Sequence, residues 1–242
     1  MATLSDLSAI TADPDGEPRE RIAAQLSTRI RRRWRAEVLA IGVHGSLAHG
    51  DDRNGSDIDL IVVTYRAGTG PTPMLRRIDG HIVDLGVIAQ HELLAQARTV
   101  TTRWPLVADR YLHIRPLFDE TNWLAELRDA HLGRLAEATP REFTGLAMQA
   151  WCDSWSLFQR AIRCGQWHDE DGALLLLGEA RTATAITEGL LSRTYFRSTT
   201  DATRRAAVAE LDLVELRDRL NQQAVELAKR GRPVDGTIDD LI

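Results

Sequence analysis

Between residues 19 and 35 apolar side chains return at every fourth position, Ile22, Leu26, Ile30 and Trp34, which is the spacing of an amphipathic helix. Arg31, Arg32 and Arg33 sit near its end, where the helix dipole favours cations. A solvated helix end is the plainer reading of that run and a nucleic-acid patch the sharper one. Residues 38–43 are almost wholly apolar, as a strand covered on both faces is. They run into His44-Gly45-Ser46-Leu47-Ala48-His49-Gly50 and then, past a polar loop at 51–56, into a second expected strand at 57–63. Residues 67–73 form a Gly/Pro/Thr loop. A third strand is expected at about 78–88, a helix at 91–103 that stops before Pro105, and another strand at 111–118.

After residue 119 the period changes. Residues 121–138, 141–164, 172–196 and 202–229 carry helical periodicity, separated by Pro140, Gly165 and the cluster Ser198-Thr199-Thr200-Asp201, which offers N-capping chemistry. The pattern predicts an α/β chain in three parts. A flexible lead-in spans 1–18, a sheet domain with flanking helices spans 19–119, and an α-helical bundle domain spans 120–242.

The composition adds limits. With 242 residues, 43% hydrophobic and 27% charged, the chain has an ordinary globular mixture, which excludes a disordered tail, a collagen or a coiled coil. No apolar run approaches the ~18 residues of a bilayer span, and the N-terminus lacks the basic and apolar regions of a signal peptide. Cys152 and Cys164 form no disulfide framework and suit a reducing, cytoplasmic setting. The formal net charge is −5, and the excess of acids lies wholly beyond residue 119. Such a chain is poorly suited to a long phosphate backbone; it suits a small cationic ligand, although an acidic surface is also the default of soluble proteins. Neither a nucleic-acid partner nor a membrane is expected.

Asp57 and Asp59 are two apart on an expected strand, so both carboxylates point to one face. Two anions so placed repel each other, and the arrangement makes sense around a divalent cation such as Mg²⁺, which takes hard oxygen ligands. Asp84, within Ile82-Val83-Asp84-Leu85, reads as a third, buried acid on an adjacent strand. Gly45 allows close backbone approach, and the Ser46 hydroxyl with nearby amides can hold phosphate oxygens. A helix starting near Leu47 would add a favourable dipole. Together these make a triphosphate-plus-metal site.

Gly45-Ser46 followed by Ser56-Asp57-Ile58-Asp59 resembles the signature of the DNA polymerase β-like nucleotidyltransferase superfamily. The stretch Ala40 to Leu47, Asp84, Trp104-Pro105-Leu106, Pro116 to Asp119 and the tail near Lys229 to Asp235 are similar to the kanamycin nucleotidyltransferases, the aminoglycoside 4′-O-adenylyltransferases. That resemblance implies a nucleotidyltransferase mixed sheet followed by a helical domain. It implies two Mg²⁺ on Asp57, Asp59 and Asp84, with Gly45, Ser46, His49 and Ser56 at the phosphates of ATP, His49 standing where the family carries an arginine. It also implies a glutamate-type base on the first long helix of the second domain, where ungapped alignment gives Asp153; a slip of one helical turn would give Leu157. Apolar residues cover most of that helix, so Asp153 is expected to be desolvated and a better proton acceptor, or else paired with an arginine such as Arg160.

The implied reaction moves AMP from ATP to a hydroxyl of a polycationic aminoglycoside, with release of pyrophosphate, in a homodimer. The alternatives are a nucleotidyltransferase for another metabolite or macromolecule, or a non-catalytic nucleotide-binding regulator. The remaining chemistry-bearing residues read as structural. His81, His91, His113 and His131 show no ligand spacing, both cysteines read as buried small hydrophobes, and Trp151, Trp155 and Trp167 read as core or contact residues. Asp169, Glu170 and Asp171 read as a helix start.

Overall fold

Helix α1 (Glu17–Arg33) buries Ile22, Ala23 and Ile30 against a sheet and leaves its other side to solvent, as its four-residue apolar spacing requires. The structure, a computed structural model, describes residues 17–51 and 55–241; the expected lead-in at 1–18 lies almost wholly outside the described residues. The chain divides into two compact units, one holding residues up to 99 with 110–134, the other residues 100–109 with 135 onward.

In the first unit α1 leads into β1 (Val38–His44), buried along its length except for a half-buried His44. A one-turn helix, α2 (Gly45–His49), follows directly, and β2 (Ile58–Thr64) returns antiparallel to β1. The expected single strand at 78–88 is instead a hairpin of β3 (Met74–Ile78) and β4 (His81–Ala89). Its turn is Asp79-Gly80, with φ of 49° and 86°, a pair suited to a two-residue hairpin turn that needs both central residues at positive φ. The order is β3-β4-β2-β1-β5, with β2 and β4 parallel and the other pairs antiparallel. This is the mixed sheet with flanking helices that the sequence reading expects.

The expected helix at 91–103 is shorter, α3 (Gln90–Ala97), and a separate turn, α4 (Trp104–Val107), takes Pro105 in its first turn. The expected strand at 111–118 begins late. Asp109–Leu112 is a helical turn, α5, and β5 is Arg115–Asp119. The Asp119 carboxylate accepts from the backbone N–H groups of Trp123 and Leu124 at 2.9 and 2.8 Å, which starts α6 (Trp123–Glu137).

The second unit is helical. Pro140 and the Thr139 cap open α7 (Pro140–Gln166), and the Asp169 cap opens α8 (Glu170–Ser192). Ser154 and Thr184 bond to each other at 2.6 Å between these helices, both fully buried. The expected helix at 202–229 is two, α9 (Thr199–Arg205) and α10 (Leu213–Lys229). The break comes where Asp212 and Glu215 form a reciprocal capping box. Buried Trp151 donates its indole N–H to Leu220 O at 2.9 Å, tying α7 to α10, and Leu216, Leu220 and Leu227 of α10 are fully buried, each contributing about 2 kcal/mol by area removed from water.

In β1, Gly42 lies where an added Cβ would overlap the Ile114 Cγ2 methyl and stand 3.2 Å from Arg115 O. Gly42→Ala is expected to cost about 1–3 kcal/mol, read as a lower urea midpoint at unchanged slope. Adding Ile114→Ala is expected to recover part of that loss, and strict additivity of the two changes would show that the contact is not the cause.

Candidate active site

Two neighbouring strands, β2 and β4, bring acids together. Asp59, the second residue of β2, is in register with His44 at the end of β1 on one side and with Asp84 of β4 on the other. Side chains level with each other on adjacent strands project from the same face, so Asp59 and Asp84 are neighbours. Asp57 lies just before β2. It is outside the strand that the sequence reading gave it, yet still close enough to act on Asp59. The Asp59 carboxyl is raised from 3.8 to about 6, chiefly by burial, then by the negative charges of Asp57 and of Asp84. Asp84 is exposed rather than buried. It sits on an edge pair of strands, with its side chain opposite Leu75 of β3, so the expected cost of a buried lone acid does not arise there.

Gly45 begins the turn after β1 at φ +65°, and an added Cβ would run into the Asp59 carboxylate oxygen. Glycine is therefore required twice, for its backbone angle and for the room it leaves to that carboxylate. Helix α2 starts at Gly45, not near Leu47, and is only five residues long. A single turn carries little macrodipole, so any hold on phosphate here rests on individual N–H groups and the hydroxyl of half-buried Ser46. The turn closes with Gly50 at φ 67° and with Asp51 N donating to Ser46 O at 3.2 Å.

His49, the last residue of α2, packs its ring on that of His113, with centroids 4.8 Å apart. Sequence spacing gave no hint of this partner, because the two lie on separate elements. Ser56 is held by a residue that the sequence reading passed over. Arg19, only 2% exposed, donates Nε to the Ser56 carbonyl at 3.2 Å, fixing the residue that precedes Asp57. Its position was legible in principle, since Arg19 falls on the apolar phase of α1, with Ile22, Ala23, Leu26 and Ile30.

The second unit departs from expectation at several points. Asp153 is exposed on α7, not desolvated, and Cys152 beside it is exposed rather than buried, while Cys164 is half-buried. The apolar residues of α7 leave a polar outer strip through both. Trp151 is buried and stacks on half-buried Trp155 at 5.4 Å, whereas Trp167 is 75% exposed. His131 is fully buried in the first unit, with Nδ1 2.6 Å from Ala97 O, and burial lowers its pKa from 6.5.

Residues 23–106 match the model of the nucleotidyltransferase domain family. The match includes the Gly45-Ser46 turn and Asp57, Asp59 and Asp84. Among solved structures, a nucleotidyltransferase-like protein from Exiguobacterium sibiricum 255-15 is similar over 90% of this chain and 83% of that chain, at 14% identity and a TM-score of 0.46. No curated protein matches. No helix among the described residues is long and apolar enough to cross a membrane.

The raised Asp59 fixes the sign of a pH effect. Between 3.8 and about 6 the folded chain holds a proton that the unfolded chain releases. Stability of the metal-free protein therefore falls as pH rises through that interval, and the charged carboxylate opposes folding above it. Asp59→Asn is expected to raise the melting temperature in EDTA at about pH 8 and to leave it nearly unchanged at about pH 4. A variant that melts lower than the parent at the higher pH would contradict the assignment.

Proposed function

We propose that this protein is a metal-dependent nucleotidyltransferase that moves AMP from ATP to a hydroxyl of an aminoglycoside and releases pyrophosphate. The observation that carries the reading is the coupling of Asp59 to Asp57 and Asp84 beside the Gly45-Ser46 turn. The donor set fits the ions. It offers three hard carboxylates, one with its pKa pushed up by burial and then by the charges of the other two, and a divalent cation relieves that repulsion. Asp57 and Asp59 would hold both Mg²⁺ ions and Asp84 would share one of them. Bound there, the ions would lower the pKa of the attacking hydroxyl and offset charge on the phosphates.

The chain's own groups do the rest. Ser46 would orient the triphosphate through its hydroxyl and the backbone N–H groups of the turn, where the missing side chain of Gly45 lets phosphate approach. His49 would add a phosphate contact in place of the family's guanidinium. Arg19, through the Ser56 carbonyl, would keep Asp57 aimed. Asp153 would accept the proton of the acceptor hydroxyl. Asp153 is exposed, and that role rests on the resemblance alone. Positioning and charge neutralisation would supply most of the acceleration.

The acceptor follows from the resemblance and from the acidic second half of the chain, which suits a polycation. The same reading carries a cytoplasmic homodimer with it.

The experiment is pyrophosphate release from ATP and Mg²⁺ across a panel of aminoglycosides. Release is expected with at least one acceptor, and Asp59→Asn is expected to lower turnover by about 10³-fold or more. Undiminished turnover in that variant would remove the metal site from the mechanism. Silence across the panel with nucleotide still bound would remove the aminoglycoside. Asp153→Asn is expected to lower kcat more than it raises KM, and the reverse pattern would make it a binding residue only.

A further inference from the structure

A cavity of about 600 Å³ opens in the helical unit, bordered by the first turn of α7, the end of α8 and the segment just past α10. Four arginines line it, Arg141, Arg193, Arg230 and Arg232, with Phe143 and Leu191 among its apolar wall, and no carboxylate lines it. Two of the four are already engaged. Arg193 lies over the Phe143 ring, its guanidinium carbon 4.8 Å from the centroid, and donates to Ala138 O at 3.4 Å. Arg230 donates to Glu226 at 2.8 Å and to Leu191 O at 2.7 Å. These contacts hold both guanidinium groups in place and help satisfy carbonyls at helix ends.

Arg141 and Arg232 are different. Neither guanidinium makes an ion pair or hydrogen bond among the described residues. Gly231, at φ 76°, turns the chain between Arg230 and Arg232, and both residues border the same space. Two spare forks and two anchored ones around an apolar wall exceed what capping the helix ends requires, and of the four only Arg230 is paired with a carboxylate, Glu226, so the lining keeps an excess of positive charge.

We propose that this cavity is a binding site for a small phosphate monoester carried on an apolar body, separate from the carboxylate site and independent of the transfer reaction. A phosphoryl group at neutral pH brings nearly two charges and three acceptor oxygens, enough for two guanidinium forks, whereas a lone carboxylate satisfies one. The volume falls within the range of small-molecule sites, about 300–1,000 Å³, and walls from three separate elements suit a compact ligand better than a polymer. Phe143 and Leu191 supply the surface for the ligand's apolar part.

The test is calorimetric titration of the full chain with phenyl phosphate in EDTA, a condition in which the metal-free carboxylates repel phosphate and the heat reports this cavity. One saturable site per chain is expected, weakened by added salt and stronger than for inorganic phosphate. Arg141→Glu with Arg232→Glu is expected to weaken binding by at least about tenfold, while Asp59→Asn leaves it in place. Arg141→Lys with Arg232→Lys keeps the charge but loses the fork, and is expected to bind less tightly than the parent even if the charge-reversed pair fails to fold. Absence of saturable binding, unchanged affinity in the lysine pair, or loss in Asp59→Asn with retention in the arginine variants would each overturn the proposal. Tighter binding of a short RNA through the same arginines would overturn it in favour of a polymer surface.

Discussion

The Asp59 carboxylate lies against Gly45, and burial first, then the charges of Asp57 and Asp84, raise its pKa to about 6. Nothing in an unliganded fold rewards this arrangement, because burying and crowding anions works against stability. The surroundings are built around it. A fully apolar β2 core anchors Asp59 through Ile58 and Leu60, both buried, so the strand cannot turn to release the carboxylate without exposing its neighbours. Gly45 gives up a side chain to make room. Arg19 is buried so that the segment before Asp57 keeps one course. The cost falls on β2, the middle strand of the sheet, and the apolar core around it meets that cost.

Much of the fold was legible because burial imposes a period. The apolar stripe of α1 and the unbroken apolar runs of β1 and β2 could only be buried in the way they are. Where reading failed, local chemistry overrode the period. The run at 78–88 looks continuous in hydropathy, but Asp79-Gly80 favours positive φ at both positions and folds it into a hairpin. The helical period at 202–229 continues across residues 206–212, but Asp212 and Glu215 can satisfy a helix start only by ending the one before. In both places the signal was present in two residues and was outweighed by a longer pattern.

The site divides along the same line. Asp59 and Asp84 were legible because both fall on apolar strands, whose register sets them on one face, while Gly45 and Asp57 were legible from the segments that border those strands. Asp84 was misjudged in burial, since an apolar neighbourhood in sequence says nothing about whether a strand lies near the edge of its sheet. Pairings across distant segments left no trace in spacing, and so neither the Arg19 contact to Ser56 nor the tilted ring contact of His49 with His113 was visible. Asp153 shows the limit of averaging over a helix. The large and apolar residues of α7 suggest a helix closed in all round, yet a strip through Cys152 and Asp153 stays open to solvent.

Net charge misleads in the same manner. All of the chain's excess negative charge lies beyond residue 119, which argues for a cationic ligand somewhere on that part of the molecule. A total is blind to placement, however, and Coulomb interactions at protein distances are decided within about a Debye length, ~8–10 Å. The charged residues lining the cavity between α7, α8 and the end of α10 are four arginines, and the Glu226 carboxylate beside it is taken up by Arg230 at 2.8 Å. A polycation held by the helical unit would therefore have to sit elsewhere on its surface, and an anion drawn to that cavity would not feel the global balance. The acidic half of this chain thus has room for ligands of both signs, and only the local inventory of carboxylates and guanidinium groups says where each belongs.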